Sequence, residues 1–246
     1  RVISQNKESY KVVTNEMEFL ANVSGKFRFE HTRLVDYPAV GDFIMLDRTN
    51  NKDGNGVIHE VLTRKSSFER KAIGFENEIQ VVAANIDIVF ICMSLNNNYN
   101  LRRLERYLSI ASESGATPIV VLTKSDLCND VQEKENEVLK IAPWIDIITT
   151  SSEDKESYLK ISNMITKGKT VAFIGSSGVG KSTLINLIIG EELISTNEIR
   201  DDDKGRHTTS RRDLILLPNG GIVMDTLGMR EIEAANPDLE TTFFEI

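Results

Sequence analysis

The stretch Gly175-Ser-Ser-Gly-Val-Gly180-Lys181-Ser182 constrains this 246-residue chain more than any other. It has the form G-x-x-x-x-G-K-S, entered by the apolar run "KTVAFI" and left by "LINLII". Glycines at these places let the backbone curl so that successive N–H groups point inward at phosphate oxygens, and a helix opening at Lys181 adds its positive dipole end. Such a loop requires a strand before it and a helix after it. The candidate phosphate-binding residues are Gly175, Ser176, Ser177, Gly178, Val179, Gly180, Lys181, Ser182 and Thr183. Lys181 would reach the β- and γ-phosphates and the Ser182 hydroxyl would coordinate Mg²⁺.

The surrounding pattern agrees. From about residue 80, "IDIVFICMSL", "TPIVVLTK", "IDIITTSS" and "KTVAFIG" read as buried strands. They alternate with the helical "LRRLERYLSIASESG", "DVQEKENEVLKIA", "KESYLKISNMIT" and "KSTLINLIIG", which predicts a mostly parallel sheet covered on both faces. "RRDLILLP" and "GGIVMDT" predict a hairpin around Asn219-Gly220 that ends the sheet. The front of the chain differs: "EFLANVS", "KFRFEH", "DFIMLD" and "VIHEVLT" are short and closely spaced by turn signals, as in a small β-barrel. In "KFRFEH" the alternation puts Phe27 and Phe29 on one face and Lys26, Arg28 and Glu30 on the other, the pattern of a barrel wall. The expected division is a barrel over 1–70, a linker over 71–80 and an α/β domain over 81–246.

Composition excludes several classes. With 40% apolar and 27% charged residues and no apolar run long enough for a bilayer, membrane insertion is not expected. The start "RVISQNKESYK" has no apolar core of a signal peptide, and Cys92 and Cys128 both adjoin apolar runs, so reduced thiols in a cytoplasmic protein are expected. The three histidines, at 31, 59 and 207, are too scattered for a zinc site. A net charge of −8 argues against coating nucleic acid over the whole surface, although the first 75 residues carry a slight basic excess.

Three further motifs belong with the phosphate loop. In "MDTLG" (224–228), Asp225 is placed to hold the metal and the Gly228 N–H to meet the γ-phosphate. "GRHTTS" (205–210) offers Thr208 and Thr209, both candidates for a switch threonine on Mg²⁺. "TKSD" (123–126) follows the strand "PIVVL"; an aspartate there accepts two hydrogen bonds from guanine N1–H and N2–H₂, which adenine lacks, and the Lys124 stem can lie along the base. Guanine recognition thus falls to Lys124 and Asp126, with a backbone N–H from Ser151 or Ser152 for the guanine carbonyl. The base-reading loop precedes the phosphate loop in the chain.

That order, with "GVIHEVLTRKS", "LERYLSIA", "VVLTKSDL", "GSSGVGKSTLIN", "GRHTT" and "DTLGMRE" in sequence, resembles the circularly permuted, ribosome small-subunit-dependent GTPases (the YjeQ/YloQ type, also called RsgA). The natural ends of such a domain lie close together, so joining them and opening the chain elsewhere preserves the site. The resemblance implies GTP and GDP as substrate and product, Mg²⁺ as cofactor and slow hydrolysis until the protein meets the 30S subunit. It also implies an OB-like barrel contacting 16S rRNA, a monomer, and a role in late subunit maturation. The family continues into a Cys/His zinc domain; this sequence stops at "TTFFEI", so zinc is expected only there. Carried over by position, the resemblance adds Thr123 to the guanine-binding residues, although it stands where asparagine is usual, and Leu227 stands where proline is. Met229 occupies the place of a water-orienting glutamine, which leaves His207 or a ribosomal group to assist hydrolysis. Two alternatives remain open on sequence: a nucleotide-gated RNA-binding module without hydrolysis, and a P-loop phosphotransferase of another kind.

Overall fold

The computed structural model describes residues 1–6, 9–72, 78–151, 153–190 and 214–224. The front of the chain forms β1 (Val2–Gln5), β2 (Tyr10–Val13), β3 (Glu18–Val23), β4 (Ile44–Leu46) and β5 (Gly56–Val61), hydrogen-bonded in the order β1-β2-β3-β5-β4. All pairs are antiparallel except β3 with β5. Period-two alternation sends Val2, Tyr10, Val12, Phe19, Ala21, Val23 and Ile58 into one core. Beyond the strands, the Val2 N–H donates to the Asp42 carbonyl (2.8 Å) and the Val2 carbonyl accepts from Gly41 (3.0 Å), so the chain just ahead of β4 closes onto β1.

One expected strand is a helix. Residues Gly25–Glu30 form α1, because the Ser24 hydroxyl caps it by accepting from the Phe27 N–H at 3.0 Å. Helical spacing cannot bury both aromatics: Phe27 enters the core against His31 and Tyr37, whereas Phe29 is 87% exposed. The alternation in "KFRFEH" was therefore no strand signal, and a local cap outweighed it. The sequence also gave no warning of β1 and β2, or of the ribbon β6 (Ser67–Lys71) and β7 (Ile79–Ala84). Lys71 pairs with Ile79 across the stretch expected to be a linker.

The remainder builds β8 (Ile88–Ser94), α2 (Leu101–Ser114), β9 (Thr117–Thr123), α3 (Val131–Ile141), β10 (Asp146–Thr149) and α4 (Lys155–Met164). Then follow β11 (Thr170–Ile174), α5 (Lys181–Ile189), β12 (Leu214–Leu216) and β13 (Ile222–Met224). The sheet order is β10-β9-β8-β11-β13-β12, parallel throughout except for β12, and the hairpin turns at Asn219-Gly220 as expected. Alternate residues of β8 face opposite ways: Val89, Ile91 and Met93 join α2 and α3, while Phe90 and Cys92 join α4 and α5. Phe90 stacks on Phe173 of β11 at 4.9 Å. Successive strands run outward from β8 to β10 and resume at β11 on the other side of β8. This reversal opens a crevice beyond the carboxyl ends of β8 and β11. The phosphate loop leaves β11 into that crevice.

Candidate nucleotide site

The loop after β11 is built around two glycines at positive φ, of which Gly175 also has no room for a side chain. Gly175 has φ +141°, and a Cβ there would lie 2.2 Å from the Cys92 carbonyl oxygen of β8. Gly180 has φ +97° and opens α5, so the helix begins with its N–H groups aimed back at the loop. Each carbonyl from Gly175 to Val179 accepts a hydrogen bond from a side chain. The Lys181 ammonium donates to the carbonyls of Gly175 and Ser176 (2.8 Å to the latter). Asn98 Nδ2 donates to Ser177 (3.3 Å), Lys124 Nζ to Gly178 (2.7 Å) and Thr123 Oγ1 to Val179 (2.6 Å). With these carbonyls engaged by side chains, the loop's amides can meet an anion, which is the chemistry of a phosphate cradle. Ser182 and Thr183 follow in the first turn of α5.

The base-reading loop arrives from β9, two strands away. Thr123 ends β9 and is buried; Lys124 adopts φ +59°, a left-handed conformation uncommon for a residue with a side chain, and a 3-10 turn over Ser125–Leu127 follows. The Ser125 N–H donates to the Thr150 carbonyl (3.1 Å), which ties this loop to the end of β10. Thr123 and Lys124 thus each bond directly to the phosphate loop more than fifty residues later in the chain. The shorter reach of threonine, compared with the asparagine usual there, suffices because Val179 comes to it.

These elements enclose a cavity of 290 Å³. Its walls are Thr123, Lys124 and Asp126 on one side and Gly180, Thr183, Leu184 and Leu187 of the α5 region on the other. Thr150, Ser151 and Tyr158 close the end. The volume is near the ~300 Å³ lower bound for small-molecule pockets, enough for a nucleoside end with its phosphates outside. The Asp126 carboxylate accepts no hydrogen bond from the described residues, which leaves its lone pairs to a ligand. Thr150 and Tyr158, not anticipated from sequence, brace the end wall: Ser157 Oγ donates to Thr150 Oγ1 at 2.6 Å, and the Tyr158 hydroxyl donates to the Ser151 carbonyl. Burial raises the Tyr158 phenol above its ordinary pKa, with Asp154 and Asp126 adding to the rise, so it remains a donor at neutral pH. A larger groove of 640 Å³ lies on the front part around Phe27, His31, His59 and Arg64, far from any phosphate-binding loop. Chemistry, not size, selects the smaller cavity.

Among the described residues no cluster of three or more His, Cys, Asp and Glu could hold a metal. Of the expected Mg²⁺ ligands, Ser182 is described and stands beside Lys181 at the loop's mouth; Thr208, Thr209 and Asp225 lie outside the described residues, as do Ser152, His207 and Gly228. Met224, the residue before Asp225, is buried and pairs with Ala172 on β11, the strand that carries the phosphate loop. Sequence reasoning also missed Asn98 and Arg103. The one signal for Asn98 was position, in a polar "NNNYN" immediately after a buried strand; Arg103 had none.

Comparison with known proteins agrees with this geometry. Residues 61–235 match the RsgA GTPase family model. Small ribosomal subunit biogenesis GTPase RsgA 2 of Lactiplantibacillus plantarum is 45% identical over the whole chain, which spans 69% of that protein. Its namesake from Vibrio parahaemolyticus is 45% identical over 95% of the chain, which spans 62% of it. Among solved structures, YjeQ from Thermotoga maritima superposes with a TM-score of 0.67 at 25% identity, over 91% of this chain and 72% of its own. YloQ, described as a circularly permuted GTPase, shares the fold with a TM-score of 0.59 at 22% identity, over 91% of this chain and 69% of its own. The inverted order of loops, their convergence on one cavity and these matches together lead to one conclusion: the chain belongs to the RsgA GTPase family.

Proposed function

We propose that this chain binds GTP with Mg²⁺ and hydrolyses it to GDP and phosphate as a factor in late maturation of the small ribosomal subunit, slowly alone and faster on the 30S subunit. The observation that carries this reading is the pair of bonds from Thr123 and Lys124 to Val179 and Gly178, which joins base-reading and phosphate-binding loops around one cavity. Asp126 accepts from guanine N1–H and N2–H₂, and the Lys124 stem covers one face of the base. The Ser151 or Ser152 N–H meets the guanine carbonyl. The phosphate tail then lies across the amides of Ser176 to Thr183, with the Lys181 ammonium anchored at its mouth. Such preorganised donors do most of the work in phosphoryl transfer, where positioning and charge stabilisation dominate. Ser182 with Asp225 and Thr208 or Thr209 would hold Mg²⁺, which would supply positive charge to the phosphate tail. Gly228 and the switch threonines sense the γ-phosphate, and His207 or a ribosomal group orients the attacking water.

The front unit, over 1–70, is read as an OB-like barrel that meets 16S rRNA; the unit over 81–246 carries the nucleotide chemistry, joined through 71–80. Five short strands around one apolar core, and the family, support this. The names of the relatives support work on the small ribosomal subunit, and the protein is read as a cytoplasmic monomer there; no described helix is long and apolar enough to cross a membrane. The test is GTP turnover with and without purified 30S subunits. Stimulation supports the reading; stoichiometric GTP binding with no turnover on subunits would select a nucleotide-gated RNA-binding module instead.

A further inference from the structure

The phosphate loop is held from a third direction that neither base reading nor metal binding requires. Strands β8 and β11 are parallel neighbours, so the loop leaving β8 comes up beside the loop leaving β11. From it, Asn98 Nδ2 donates to Ser176 Oγ (3.2 Å) and to the Ser177 carbonyl (3.3 Å). One turn into α2, Arg103 Nη1 donates to the same Ser176 Oγ (2.9 Å) and to Asn98 Oδ1 (2.8 Å). Ser176 is thus gripped by two side chains that also grip each other. The helix presents Arg103 here because the Asn100 side chain caps α2 by accepting from the Arg103 N–H (3.0 Å), which fixes the first turn.

Charge makes this more than a brace. Both acceptors of Arg103 Nη1 are neutral, and no carboxylate pairs with its guanidinium among the described residues. A purely structural clamp on a serine hydroxyl needs only a neutral donor. A permanent cation placed against a loop whose amides already converge instead adds to a field that favours negative charge on the other side.

We propose that Arg103, acting through Ser176 and Asn98, is a positioning residue that sets the phosphate loop for the tail of the nucleotide and so raises affinity selectively for ligands with a β-phosphate. This rests on the guanosine-phosphate reading above. It does not concern the base, which the Thr123–Asp126 loop reads from the opposite side.

The test is calorimetric binding of GDP and GMP to the wild-type chain, Arg103→Ala and Arg103→Gln, with thermal unfolding of each as a check on folding. The expected result is that GDP affinity falls about tenfold in both variants, the size of one charge-assisted hydrogen bond, while GMP affinity moves about twofold or less. A merely structural role would weaken both ligands together and leave their ratio unchanged, and that result overturns the proposal. Where Arg103→Ala unfolds, Arg103→Gln decides, since it keeps a polar donor, shorter by two bonds, without the charge. If the wild-type chain itself binds neither ligand, the guanosine-phosphate reading fails, an outcome distinct from an unchanged ratio in a chain that binds GDP.

Discussion

Gly175 and Thr123 carry opposite lessons about single positions. Gly175 is irreplaceable for reasons of space: with Cys92 backbone 2.2 Å from any added Cβ and φ at +141°, neither neighbour can yield. Gly175→Ala is expected to abolish measurable GDP binding and to destabilise the domain by at least about 2 kcal/mol in urea unfolding. Thr123 is replaceable at a cost. Thr123→Val keeps the shape but strips the donor from the Val179 carbonyl, which should cost about 1–3 kcal/mol and weaken GDP binding, while Thr123→Asn should retain it. Tyr10 gives a pH signature. Its phenol is buried in the front core and pushed up to about 12, mainly by desolvation. A phenol whose folded pKa is raised binds its proton more tightly when folded, so its contribution is present below pH 10 and is lost as pH climbs to about 12. Urea unfolding between pH 9 and 12 should show a loss on the order of 2–3 kcal/mol that Tyr10→Phe flattens.

At the scale of elements, the hairpin β12–β13 rests on one asparagine. Asn219 Nδ2 donates to the Ile165 carbonyl (2.8 Å), its Oδ1 accepts from the Gly221 N–H (2.9 Å), and Gly220 turns the corner at φ +81°. Asn219→Ala removes both bonds and should lower the Tm by about 2–6 °C, from about 1–2 kcal/mol. This hairpin was legible in advance because Asn-Gly between apolar runs has a mechanism behind it. So were the strands and helices from Ile88 to Gly190, whose apolar runs are long and whose caps, Asn100 and Gly115 among them, are conventional. The front was less legible. Its strands are three to six residues long, β1 carries a bulge, and "KFRFEH" satisfies a strand pattern while Ser24 starts a helix. In the site, residues whose types have local mechanisms, Lys181 and Asp126, could be named from sequence. Asn98, Arg103, Thr150 and Tyr158 could not, because their roles come from strand adjacency alone.

Across the whole molecule, the front unit meets the segment leading into the nucleotide-binding sheet at Val40 and Gly41. Their carbonyls accept from the Ala84 N–H (2.9 Å) and Asn85 Nδ2 (3.2 Å), and a buried ion pair inside the front unit stands beside that contact. Arg64 makes a two-pronged pair with the fully buried Asp42 (2.8 and 2.9 Å) and also donates to the carbonyls of Val35 and Tyr37. Gly41, beside Asp42, meets the Ala84 carbonyl so closely that a Cβ would lie 2.0 Å from it and 3.1 Å from Met224 Cε. Removing one partner strands the other charge, so Asp42→Ala should cost about 3–5 kcal/mol in urea unfolding. Met224 directly precedes Asp225, so that contact touches the strand leading to the expected metal-binding loop. All of this presupposes that one guanosine phosphate spans the two loops, and calorimetry of GDP and ADP on the wild-type chain and on Asp126→Ala tests it most directly. The predicted result is one GDP per chain, ADP weaker by ~10² or more, and a ratio that collapses in Asp126→Ala. Equal affinity for the two nucleotides, or a GDP preference that survives loss of Asp126, would contradict it.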